Sequence, residues 1–214
     1  MENIQQQLDN LSDIKQLMEK SSRFISLSGL SGVFIGLIAL IGSVFVYFQF
    51  NALFPSLENA SIHSSSDMDV ELLNTFIFKT ISTAIIVLFS SLGLGVIFTI
   101  RKAKKNELKI WDNSTKRLLF HLFIPLQTGA VFMVALFTNE LFALLAPASL
   151  IFYGLALVNA STFTFKDIKF LGLFDVCLGL LALFFLNYSL IFWAIGFGLM
   201  HIVYGVLMYF KYEK

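Results

Sequence analysis

The chain has 214 residues, of which 57% are hydrophobic and 14% charged, with 25 Phe, a formal net charge of +1 and a mean hydropathy of +0.80. A soluble domain carries about 25% charged residues, so the composition excludes an ordinary water-soluble domain and points to a protein of the bilayer. Its near-neutral charge offers no field for nucleic acid, and the lone Cys177 has no partner for a disulfide and no companions for a Cys-based metal site.

In chain order, residues 1–23 come first. Ile4, Leu8, Leu11, Ile14, Leu17 and Met18 recur at helical spacing with charged and Gln residues opposite, which predicts an amphipathic helix. Its balance is slightly acidic, Glu2, Asp9, Asp13 and Glu19 against Lys15, Lys20 and Arg23, so it suits a protein partner or self-association better than anionic lipid. A polar start and a long apolar run after it do not resemble a cleavable signal peptide.

Six apolar stretches follow, each near the ~20 residues a helix needs to cross a bilayer core: 24–50, 72–100, 118–138, 141–162, 170–186 and 188–210. The expected fold is an all-α, polytopic membrane protein with six transmembrane helices arranged as three helical hairpins, a bundle over 24–210 and a tail at 211–214. Lys and Arg are retained on the cytoplasmic side of the membrane. All basic residues except Lys79 fall in the amino-terminal arm, the 101–117 loop, the Lys166–Lys169 turn or the tail, which makes both termini cytoplasmic and a plasma (inner) membrane the expected location. The 101–117 loop needs no nucleic acid to explain its charge.

The first span opens with Gly29-Leu30-Ser31-Gly32, a pattern that also occurs around catalytic serines, and His201 lies at a comparable depth in the sixth span. The fifth span decides against catalysis. "SGLSGVFIGLIAL" from Ser28 aligns without gaps on "LGLFDVCLGLLAL" from Leu171, and the shared glycines persist while Ser31 is replaced by Phe174. What recurs is small-residue spacing: Ser28, Gly32 and Gly36 in one span, Gly172 and Gly179 in the other, a pattern that lets helices approach closely. No catalytic residue is expected. The segment "LMEKSSRFISLSGLSGVFIGLIALIG" resembles the start of a group of multi-pass bacterial membrane proteins; the resemblance implies a bacterial inner-membrane setting and brings no activity, cofactor or site.

Ionisable groups inside the spans are the remaining signal, because each is costly in hydrocarbon unless paired or hydrated. Asp175 shares a helix face with Gly172, Gly179 and Ala182, and His201 shares one with Ala194, Gly198 and Gly205. With the fifth and sixth spans joined only at Asn187-Tyr188, Asp175 is expected to reach His201 or Tyr204 and form an intramembrane polar cluster. Lys79, about 30 Å along its helix from Ile100, snorkels to the outer interface or joins a polar seam with Thr75, Ser82, Thr83 and Ser90. His121 sits near the opposite, cytoplasmic edge, and its ~9 Å difference in depth from His201 disfavours a bis-His haem. No cofactor and no metal are expected. The functional expectation is a non-enzymatic scaffold or regulatory subunit, with the lipid bilayer and a protein bound through 1–23 as partners; the alternative is a small-solute or proton-coupled transporter using Asp175, His201 and Tyr204.

Overall fold

The computed structural model describes Gln6, Phe24 and residues 27–62, 66–107 and 110–214, with backbone alone at 54–62 and 66–70. Apart from Gln6, the amphipathic helix expected over 1–23 lies outside the described residues. Among the described residues the elements are all helical: α1 (Gly29–Ile62), α2 (Ser66–Lys105), α3 (Asn113–Thr138), α4 (Leu145–Ala160), α5 (Ile168–Phe184) and α6, which is built from Ser189–Trp193, Ala194–Met200 and His201–Tyr212. Short 3-10 turns at Phe142–Leu144, Ser161–Phe163 and Leu186–Tyr188 lead into or out of the later helices.

Among the described residues, five stretches are helical, long and apolar enough to cross a membrane: Gly29–Leu53, Glu71–Lys105, Asn113–Thr138, Phe142–Phe163 and Leu186–Tyr212. The remaining helix, α5, has 17 residues, about 26 Å at 1.5 Å per residue against a hydrocarbon core of about 30 Å. The helices run on past the apolar stretches: α1 continues to Ile62 and α2 begins at Ser66, although the stretches apolar enough to cross a membrane stop at Leu53 and resume at Glu71. Backbone hydrogen bonding gives a helix no reason to end where its apolar stretch ends, so hydropathy misplaces such a boundary.

The helices pack side by side, with α2 on α1, α1 on α6, α6 against α4 and α5, α5 on α4, and α4 on α3. Thus α2 and α3 occupy the two flanks and are the least buried, while their exposed faces carry Phe78, Ile86, Phe89, Phe120, Val131 and Val134. In the centre, small residues set the distances. A Cβ on Gly29 would run into the Tyr209 backbone N, one on Gly36 would meet Gly198 O at 2.5 Å, and one on Gly205 would meet Gly29 O at 2.6 Å. At the α4–α5 seam Gly172 and Gly154 face each other just as closely, and a Cβ on Gly179 would meet Pro147 O at 2.9 Å. Gly32 and Gly36 on α1, with buried Ser28 just before it, and Gly172 and Gly179 on α5 are therefore packing positions, and Ala39 and Ala182, which are equivalent in the internal alignment, are both buried. The two similar spans use their shared glycines alike, against different partners. As a result α5 packs more extensively on α4 than on α6, which the short 5–6 connection alone would not have foretold.

Candidate functional site: a buried carboxyl beside a histidine–tyrosine pair

Asp175 is 0% exposed, and neither carboxyl oxygen has a hydrogen-bond partner. The α4–α5 contact places it: Gly172 and Gly179, one turn to either side on the same face, press α5 onto α4, and the carboxyl between them is carried into the bundle. Across from it is Gly196 of α6, where a Cβ would come within 2.9 Å of Asp175 Oδ1 and within 2.5 Å of Leu150 Cδ2. Only glycine lets the α6 backbone pass this close.

Gly196 lies in the π-helical turn Ala194–Met200, a wider winding that often marks functional positions. Its carbonyl is 2.9 Å from His201 Nδ1 and, being an acceptor only, requires that nitrogen to carry the hydrogen. In the neutral ring Nε2 then accepts from the Tyr153 hydroxyl of α4 at 2.9 Å. Phe197 packs against both rings, tilted on Tyr153 with centroids 4.9 Å apart and stacked on His201 at 5.9 Å. Asp175 and the Tyr153–His201 pair thus meet at Gly196, which touches the carboxyl on one side and binds the imidazole with its carbonyl.

The expected Asp175–His201–Tyr204 cluster is corrected in its partners. Both His201 nitrogens are taken by Gly196 and Tyr153, and the buried Tyr204 hydroxyl has no partner. The reason is the packing order: α5 lies closest to α4, and the π turn directs the His201 ring to Tyr153. Tyr153 carried a signal that went unread, a phenol in the middle of an apolar stretch, since a buried tyrosine hydroxyl usually finds a partner. Gly196 carried none.

The other singled-out residues stand apart from this centre. Ser31 is buried and donates to the Ser28 carbonyl of its own helix, at 2.5 Å. Lys79 is exposed on α2, and the hydroxyls of Ser82, Thr83 and Ser90 bond back to carbonyls of α2 itself. His121 is half-buried at the other end of the molecule, where its ring stacks on Phe163 at 4.5 Å and its carbonyl accepts from Asn159 Nδ2. Cys177 is exposed. Among the described residues no group of three or more His, Cys, Asp or Glu side chains could hold a metal ion.

A second polar assembly closes the end of the bundle where α1 begins and α6 ends. Glu213 accepts from the Gly29 N–H and, at 3.3 Å, from Ser28 Oγ, so a carboxylate sits at the positive N-terminus of α1. Lys102 of α2 reaches Glu213 at 3.2 Å and the Leu27 carbonyl at 2.6 Å. Beside it, Phe24 bonds through its backbone to Phe163 and Thr164. Asp167 accepts from Lys211 Nζ and Tyr212 O–H, both at 2.7 Å; burial pushes its carboxyl up, but these two donors outweigh burial and hold it below its ordinary value. At the start of α3, Asp112 caps Thr115, and here too the hydrogen bonds override burial and keep the carboxyl below the usual range. The charges of Lys102 and Lys211 are plain in the sequence; the acidic partners that fix them come from the fold.

Compared with protein-family models, with curated proteins and with solved structures, the chain matches none.

Proposed function

We propose that the chain is a non-enzymatic, six-span inner-membrane protein, three helical hairpins with both termini cytoplasmic, that binds and releases a proton at Asp175 in the course of moving a small solute. One observation carries this reading: a carboxyl that is fully buried and has no hydrogen-bond partner. An isolated ionised carboxylate is among the costliest groups to bury, and gaining a proton is how such a group stays buried. Ion pathways and proton relays are among the roles that ionisable residues within spans mark. Tyr153 and His201 form the hydrogen-bonded pair next to it that would accept or relay that proton.

The second reading is a scaffold or regulatory subunit that meets a protein partner, or a second copy, through residues 1–23. It is favoured by the seams around Asp175, which are so close that Gly196 has no room for a Cβ, leaving a solute none in this conformation. Reaction with dicyclohexylcarbodiimide, a hydrophobic reagent for protonated carboxyls, separates the two. Proton binding predicts labelling that Asp175→Asn abolishes and that fades as pH rises, together with reaction of Asp175→Cys or Ala182→Cys with a membrane-impermeant maleimide in a Cys177→Ala background. No carbodiimide adduct and full protection of both cysteines would transfer the lead to the scaffold. Topology is checked separately: a reporter following Lys214 should be cytoplasmic and one inserted near residue 63 external, because the basic residues on one side vote together. An external reporter after Lys214 would overturn the span count.

A further inference from the structure

We propose that the chain forms a two-fold dimer through the outer face of α3, with Gln127 of each copy paired to Gln127 of the other. α3 packs on α4 through a face that includes Gly129, whose position is filled by Phe152, and Leu136, which is buried. Gln127 points the opposite way. It is exposed, makes no hydrogen bond, and stands among exposed Phe120, Phe123, Ile124, Val131 and Val134. On either side along the helix the face is wholly apolar for two turns, and Gln127 lies near the middle of Asn113–Thr138.

In a helix of this length and hydropathy that middle is the hydrocarbon core, where lipid offers a carboxamide neither donor nor acceptor. The neighbouring hydroxyl on this helix has solved the same problem internally, since Thr128 Oγ1 donates to the Ile124 carbonyl at 2.9 Å. Gln127 has no such internal solution, and polar side chains on otherwise apolar spans act as interhelical links.

A second copy fits this group by symmetry. Copies inserted in the same orientation are related by a two-fold axis along the membrane normal, so their α3 helices run parallel and their Gln127 residues meet at one depth. A carboxamide carries both a donor and an acceptor, so two of them satisfy each other reciprocally. Ala130, exposed one turn beyond Gln127, leaves room for the partner helix to come close.

The test uses the full chain in liposomes. Gln127→Cys, in a Cys177→Ala background, should form a disulfide on mild oxidation and give a product of twice the 24.1 kDa protomer mass, whereas a cysteine at exposed Phe89 on α2 should not. Gln127→Leu should shift the dimerisation constant, measured by Förster transfer between labelled copies, at least tenfold toward monomer, and Gln127→Asn should restore most of it. Leucine suits lipid better than glutamine, so the variant should keep the thermal stability of the protomer. Unchanged association of Gln127→Leu, a protein monomeric at every lipid dilution, or a crosslinked product of any other mass would overturn the dimer.

Discussion

Asp175, Tyr153 and His201 differ in what they contribute to stability. Tyr153→Phe removes the donor to His201 Nε2 and leaves a buried nitrogen unsatisfied, so it should destabilise the protein by about 1–3 kcal/mol. Combined with His201→Phe it should cost less than the two single changes added, because the pair is in direct contact. Asp175→Ala is expected to go the other way. Its oxygens have no partner to orphan, and removing an unsatisfied group should offset the small void, so thermal stability should hold or rise by about 1 kcal/mol. An Asp175→Ala protein that melts well below the original would mean that the carboxyl has a partner after all. The sequence made Asp175 and His201 legible, as ionisable groups on glycine-lined faces. Tyr153 stood out as a phenol in an apolar stretch, but its partner was not legible, because His201 lies 48 residues away on another helix.

At the scale of the helix, the end of α3 is a clear case of local chemistry. Glu140 N–H bonds to Phe137 O and Leu141 N–H to Leu136 O, a Schellman closure with Glu140 at φ 60° in the position that favours glycine. Glu140→Gly should therefore stabilise the protein by about 0.5–1 kcal/mol, read as a rise in melting temperature. Gly172→Ala should do the opposite. Its added methyl would meet the Gly154 carbonyl at 2.6 Å, and overpacking of this kind costs about 1–3 kcal/mol. Gly93→Ala, with nothing within 4 Å of its Cβ, is the matched control and should be neutral or mildly favourable. Glycine spacing was readable from the internal alignment as a packing signal. Which helix each glycine face meets was not, since spacing is a property of one helix and pairing is a property of two.

For the whole molecule, the hydrogen bonds and charges that join the helix ends set the response to acid. Asp112 and Asp167 are held below their ordinary values, so the stability they contribute is complete above about pH 4, the unfolded carboxyl range, and is lost as pH falls through their lower folded values. Both are half-buried at the surface, where solvent still screens them, so the loss should be modest. Melts between pH 7 and pH 3 should show it, and Asp167→Asn should lessen the acid-limb slope. Glu213→Ala should weaken the protein at neutral pH by about 1–3 kcal/mol, since it removes the acceptor for Gly29 and Ser28 and the partner of the mostly buried Lys102. Membrane class and the existence of apolar helices were written in the composition, and 57% hydrophobic residues leave little else. The order in which those helices pack was not, because lipid-facing and protein-facing residues here are equally apolar and hydropathy cannot tell them apart.

Glu213 has one more consequence, in time and not in space. The carboxylate that completes the first helix lies 184 residues downstream of the Gly29 amide it receives. A ribosome adding about 5–20 residues per second needs on the order of ten to forty seconds to cover that distance. Throughout that interval the start of α1 waits without its acceptor, and Lys102, once made, waits with it. Fastening of that end is therefore bound to follow synthesis of the last helix. A nascent chain stalled before Glu213 would present an unlatched α1.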